Sequence, residues 1–274
     1  MNNEGDKLSP EKNIIMQQPS KRRLWTREEL IVTLALYFQL PFGRLNQSTP
    51  EVKKLAALIG RSNSSVAIRL VNFAACDPYI LSSGRHGMSA GVAVCKPIWD
   101  EFINNQERLF MEAESIKATY LQKTIEQVLG INEVNLKGEV REAVIKQRVN
   151  QNVFRTMILN NYNNTCAITG INIPTLLIAS HIIPWADNEE TRLNPENGIC
   201  LSPLYDKAFD NGFIGINEDY KLVLSKELKD YSSRDFYQKH FGVVENKKII
   251  LPEEHKPDLN FLEYHYQNIF SKHN

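Results

Sequence analysis

Four cysteines are all that 274 residues contain, and Cys76, Cys95, Cys166 and Cys200 include no CxxC pair. That scarcity excludes a disulfide framework and a four-thiolate zinc site, so no structural zinc is expected and a reducing, cytoplasmic setting is. Long apolar runs are missing as well. None approaches the roughly 18 residues that cross a bilayer, and the first two dozen residues hold no apolar segment of the kind a secretory leader needs, so no membrane partner is expected. No internal repeat is visible. Net charge is absent too, 32 Lys and Arg balancing 32 Asp and Glu.

With 42% hydrophobic residues the chain can bury a real core. Its length allows one or two domains, and two are expected. The balanced charge hides an asymmetry: residues 1–110 carry 14 basic and 10 acidic side chains, the remainder 18 and 22. A positive front half suits contact with a polyanion, and equally occurs in proteins that touch none. Residues 1–23 read as a flexible basic arm ending in Lys21-Arg22-Arg23, either a solvated tail or an arm that lies along phosphates.

From Trp25 the pattern turns helical. Thr26 followed by Glu29 predicts a capped start, with Leu30, Leu34 and Tyr37 on one face. Thr49-Pro50-Glu51 opens a second helix burying Val52, Leu55, Ala56 and Ile59, and Gly60 ends it. Ser62 or Asn63 caps a third, with Val66, Leu70 and Phe73 inward and Ser65, Arg69 and Asn72 on another face. Two helices around a glycine turn, the second with a hydrogen-bonding face, suit a helix-turn-helix reader of a DNA major groove; the same pattern suits a packing module with a solvated outer face. "LWTREEL" and "LAALIGRSNSSVAIRL" resemble the Myb/SANT-like helical domains over roughly residues 24–80. The resemblance implies a DNA-binding or protein-docking module; the helical domain is expected to span 24–97, with Arg61, Ser65, Arg69 and Asn72 as candidate DNA contacts.

The glycine-rich stretch 82–97, with Arg85, His86 and Lys96, reads as a loop that follows phosphates or simply joins domains. Residues 98–138 are expected to form a helical linker, its apolar stripe at Ile98, Phe102, Leu109, Ala113, Ile116 and Tyr120 marking one long helix that joins the domains or pairs with a second copy. A further helix, "VREAVIKQRVNQNVFRTMILNNY", buries Val149, Val153, Phe154, Met157 and Ile158 and displays Arg148 and Arg155.

The richest chemistry lies beyond it. Cys166–Gly170 and Leu176–Ile182 read as two strands joined by a loop, Asn197–Leu201 as a third extended piece, and Ser202-Pro203 as the start of a helix to Asp210. His181 then stands at a strand end, Asn197 after a wide loop, and Asp206 about one turn into the helix. A strand pair on a helix can bring all three to one phosphate, the imidazole accepting a proton and the carboxylate facing a hard cation, which is nuclease chemistry. By default a histidine on an apolar strand is a satisfied core residue, Asn197-Gly198 a turn, and Asp210-Asn211-Gly212 a helix end.

"CAITG", "LLIASHIIPW", "RLNPENGICL" and "DKAFDNGFIGI", in that order, resemble the HNH endonucleases of the ββα-metal fold. The resemblance implies His181 as general base, Asn197 as the residue that fixes the loop and orients it, and Asp206 as a ligand of Mg²⁺ or Mn²⁺, with Ser180 and Asp210 as further candidate metal positions. Ser180 stands where many members have an aspartate or histidine, and the helix reads Leu204-Tyr205-Asp206 without the last histidine of the family's name. Arg192 can bind phosphate or solvate the loop. Trp185 reads as packing, Phe213–Ile216 and Lys221–Leu224 as a hairpin, and His240, His255, His265 and His273 as surface.

The expected architecture is α+β: a helical N-terminal module, then an HNH nuclease domain over 139–274 with its ββα core at about 166–212. The expected function is metal-dependent hydrolysis of DNA phosphodiesters in restriction or defence. A catalytically silent DNA-binding regulator and a partner-recruited nuclease subunit are the alternatives. Double-stranded DNA is the expected partner, with a second copy of the chain or a defence-system protein as further ones.

Overall fold

The computed structural model describes residues 23–131 and 137–273. The expected arm therefore lies outside the described residues, Arg23 excepted. Nearest the front of the chain, α1 (Arg27–Tyr37) begins in a capping box: Thr26 accepts from the Glu29 N–H, and Glu29 accepts from the Thr26 N–H. Its predicted face of Leu30, Leu34 and Tyr37 is buried, and so are Ile31, Val32 and Ala35. The stripe is not one-sided because α1 is the central helix of a bundle. Around it pack α2 (Pro50–Ile59), α3 (Asn63–Ala74), α5 (Val92–Phe102) and α6 (Gln106–Leu121), with the short α4 (Pro78–Ser82) following α3. The turn between α2 and α3 is the expected one: Gly60 adopts φ +65°, a left-handed conformation that favours glycine, and the Ser62 hydroxyl caps α3.

Two expectations do not hold. The stripe from Ile98 to Tyr120 is two helices, because Asn105 caps a new start by accepting from the Arg108 N–H. Nor do the described residues of the expected linker 98–138 join separate bodies: Trp99, Phe102, Leu109, Phe110 and Ala113 lie in the same apolar core as Leu34 and Phe73. That stripe faces α1, which is why it is apolar.

After α7 (Ile125–Leu129) comes α8 (Gly138–Asn161), which belongs to both halves. Ile145, Val149, Val153 and Met157 complete the first core, while Phe154, Ile158 and Leu159 enter a second. Strands β1 (Ile178–His181) and β2 (Gly198–Leu201) pair antiparallel, with Ser180 opposite Ile199 and His181 opposite Gly198. α8 packs against both strands, and α9 (Pro203–Asp210) packs against β1. The hairpin of β3 (Ile214–Ile216) and β4 (Leu222–Leu224), the short α10 (Lys226–Lys229) and α11 (Asp235–Tyr237), and α12 (Leu259–Asn268) complete this unit. The fold is mixed helix and small sheets, as the α+β expectation requires.

Cys166–Gly170 is not a strand. Gly170, at φ +73°, donates to the Cys166 carbonyl at 3.0 Å and turns the chain back, while Pro174 opens a helical turn that delays β1 until Ile178. β-rich composition favoured a strand here, and left-handed glycine overrides it. His265 is likewise not at the surface: it is 1% exposed, beneath α9.

Candidate active site

The hairpin β1–β2 lies between two helices, so alternate residues of β1 face different partners. Ser180 faces α9: it is buried, its hydroxyl has no regular hydrogen-bond partner among the described residues, and it lies near enough to Asp206 to favour that carboxylate's charged form. His181, the next residue, faces α8. Its ring stacks on Phe154 at 3.6 Å and 11°, with the Trp185 ring edge-on at 5.5 Å.

Gly198 makes that stacking feasible. A Cβ there would stand 2.3 Å from Ile158 Cδ1 and 2.7 Å from Phe154 Cζ. Only a glycine lets β2 approach α8 closely enough to set its partner His181 over Phe154. Gly198 is thus an extended strand residue, in line with the reading of an extended piece up to Leu201 and not with the default reading of Asn197-Gly198 as a turn.

The tautomer of His181 follows from its contacts. Nε2 lies 3.1 Å from the Arg192 carbonyl, which can only accept, so Nε2 carries the hydrogen. Nδ1 keeps its lone pair, and burial holds the ring's pKa down to about 4, leaving it neutral at physiological pH. A cleft of about 300 Å³ opens beside it, lined by Gln151, Phe154, Arg155, Ile178, Ala179, His181 and Trp185.

Asn197 builds the frame around this histidine. Fully buried, its Oδ1 accepts from the Ile183 N–H at 2.8 Å, while Nδ2 donates to the Ile183 carbonyl at 3.2 Å and to the Thr191 carbonyl and hydroxyl at 3.3 Å. The start and the middle of the loop 184–196 are pinned to one side chain. Thr191 immediately precedes Arg192, so this clasp fixes the carbonyl that orients His181. Thr191 and Phe154 were not singled out for such roles from the sequence, because a backbone carbonyl and a stacking partner leave no motif.

On α9, Asp206 and Asp210 stand one turn apart on the same face. Burial raises Asp206 above the usual aspartate range. Burial and then the Asp206 charge push Asp210 up to about 6, although part of its surface stays in water. Two repelling carboxylates beside a buried hydroxyl without a regular partner fit a hard divalent cation completed by water or phosphate oxygens. Among the described residues no three His, Cys, Asp or Glu side chains converge as a fuller ligand set. Tyr205, in place of a histidine, donates to the His240 carbonyl and ties α9 to the following segment.

The arginines divide. Arg155 lines the cleft and donates to the Leu177 carbonyl at 2.7 Å and the Pro174 carbonyl at 3.0 Å. Arg192 lies over Trp185, donates to its carbonyl at 2.9 Å and pairs with Glu189. Arg148 is exposed on α8. On α3 the expected reading face is largely occupied. Asn72 is buried, donating to the Met88 and Ala90 carbonyls at 2.8 and 2.9 Å, which corrects its placement on an outer face. The stretch 87–91 straps across it, and Gly87 touches the α3 backbone too closely for any Cβ. Arg61 pairs with the buried Glu29, and Arg61 and Arg69 flank the Trp25 ring at 4.4 and 4.9 Å. Arg85 pairs with Glu254. Ser65 stays half-exposed beside exposed Ser64 and Ile68 in a groove of about 850 Å³.

Residues 166–217 match the family described as HNH endonuclease. No curated protein matches the chain. The matched stretch contains Ser180, His181, Asn197, Asp206 and Asp210, and the N-terminal helices lie outside it. Among the described residues no helix is long and apolar enough to cross a membrane.

Proposed function

We propose that the chain is a divalent-cation-dependent endonuclease that hydrolyses DNA phosphodiester bonds, with His181 as general base. The observation that carries this reading is the locked tautomer: Nε2–H is committed to the Arg192 carbonyl, so Nδ1 is the basic nitrogen. A water beside Nδ1 gives its proton to the ring as its oxygen attacks phosphorus, and the 3′-oxygen leaves and takes a proton from solvent. A depressed pKa keeps the base unprotonated, and a phosphate dianion-like transition state nearby raises it toward neutrality as charge develops.

Asp206 and Asp210, with the Ser180 hydroxyl, would hold the cation, Mg²⁺ or Mn²⁺; when bound it supplies positive charge to the phosphate oxygens. HNH nucleases generally use divalent metal ions. His181 is the last residue of β1, so a phosphodiester lying over the strand end can meet the face of β1 that carries Ser180 and the face that carries His181. Arg155 and the exposed Arg148 are proposed to follow the DNA backbone along α8.

Restriction or defence against foreign DNA is the proposed setting, with the N-terminal helices touching DNA through Arg23, Ser65 and Arg69. A second reading makes their α3 face a docking site for a partner protein. Arg61 and Asn72 spend their hydrogen bonds internally there, while Leu24, Ile68 and Val94 are exposed in the groove. Ser65→Glu, at a half-exposed position in the groove, separates the two: DNA affinity falls in the first reading and is unchanged in the second. The nuclease itself is tested on supercoiled plasmid at low salt, where Mg²⁺ or Mn²⁺ supports nicking and EDTA stops it; no cutting with either ion would contradict the proposal.

A further inference from the structure

A buried histidine that takes no part in the chemistry above sits at the far end of α9. His265, on α12, stacks on the Phe209 ring at 3.6 Å and 3°, and its Nε2 donates to the Phe209 carbonyl at 2.9 Å. The same carbonyl accepts from the Gly212 N–H at 2.9 Å. Both of its lone pairs are therefore used, in the last turn of a helix, where intrahelical donors have run out. The next residue is Asp210.

This clamp has an internal cost. Nδ1 of His265 is buried with no hydrogen-bond partner among the described residues, a penalty that a phenylalanine of similar size would avoid. Packing alone does not account for a histidine here; the Nε2–H donor does. What it opposes is the repulsion of two carboxylates one turn apart, which disfavours a regular last turn. We propose that His265 is a positioning residue, whose grip on Phe209 holds the end of α9 so that Asp210 and Asp206 can share one divalent cation. The inference rests on the reading of α9 as the cation-binding helix.

Calorimetric titration of the full chain with Mn²⁺ at neutral pH, without DNA, tests it. His265→Phe keeps a ring over Phe209 and removes the donor; His265→Gln keeps a side-chain N–H; Asp206→Asn removes a ligand. Wild type is expected to bind, Asp206→Asn to lose binding, and His265→Phe to bind about tenfold or more weakly, since groups that orient ligands commonly carry such factors. His265→Gln should recover part of that loss. Equal affinity of wild type and His265→Phe overturns the proposal. If His265→Phe does not fold, His265→Gln decides: affinity within about threefold of wild type supports the clamp, and a loss as large as that of Asp206→Asn overturns it. No Mn²⁺ binding by wild type removes the reading of α9 itself, and this inference with it.

Discussion

The Arg192 carbonyl and His181 Nε2 stand 3.1 Å apart, and that contact decides which imidazole nitrogen is basic. It is set from behind by Asn197, which clasps Thr191 and Ile183 with one amide. The clasp has a consequence for stability as well as for chemistry. Asn197→Ala would strand buried backbone groups of Ile183 and Thr191, and a destabilisation of about 2–4 kcal/mol is expected in urea denaturation. Cleavage should fall further than DNA binding, because the imidazole proposed as base loses its orientation while the proposed arginine contacts to DNA remain. A variant of wild-type stability and rate would contradict the frame described for this residue.

Gly198→Ala tests the packing that places the imidazole. The new Cβ meets Ile158 and Phe154 at distances no side chain tolerates. Overpacking of this kind costs about 1–3 kcal/mol, and the displaced strand carries His181 with it. Combined with Ile158→Ala, which empties the space the methyl group needs, it should cost less than the two single substitutions added together. Strictly additive costs would place the effect of Gly198 elsewhere.

Acid should weaken the buried histidines' contribution to folding. His181 and His265 are each held down to about 4 by burial. In the unfolded chain each returns to about 6.5. Between those values the unfolded state binds protons that the native state refuses, so their contribution rises with pH and is lost as pH falls from about 6.5 to about 4. Asp210, pushed up to about 6, titrates in the opposite sense over part of the same window. The informative quantity is therefore a difference. The stability gap between wild type and His265→Phe should shift in favour of the variant on acidification, by up to about 1.4 kcal/mol per pH unit. A gap that stays constant across the window would contradict a neutral, buried His265.

Much of the local fold was legible in the sequence because its signals are local. Thr26 with Glu29, Pro50 at the start of α2, the Gly60 turn and Pro203 opening α9 each act within one helical turn. Distant partners hid the rest. Asn72 looks like a solvated amide until the stretch 87–91 folds over it. The stripe on α5 and α6 has the period of a linker helix, and only the fold shows it facing α1. His265 sits 56 positions from the carbonyl it holds, a separation over which periodicity carries nothing.

His181→Ala, compared with wild type for both cleavage and binding of the same plasmid in Mg²⁺ and Mn²⁺, measures the central claim most directly. Cleavage is expected to fall by about 10²–10⁴-fold, the range a general base supplies, with affinity for DNA unchanged. Cleavage by the variant at the wild-type rate would contradict it.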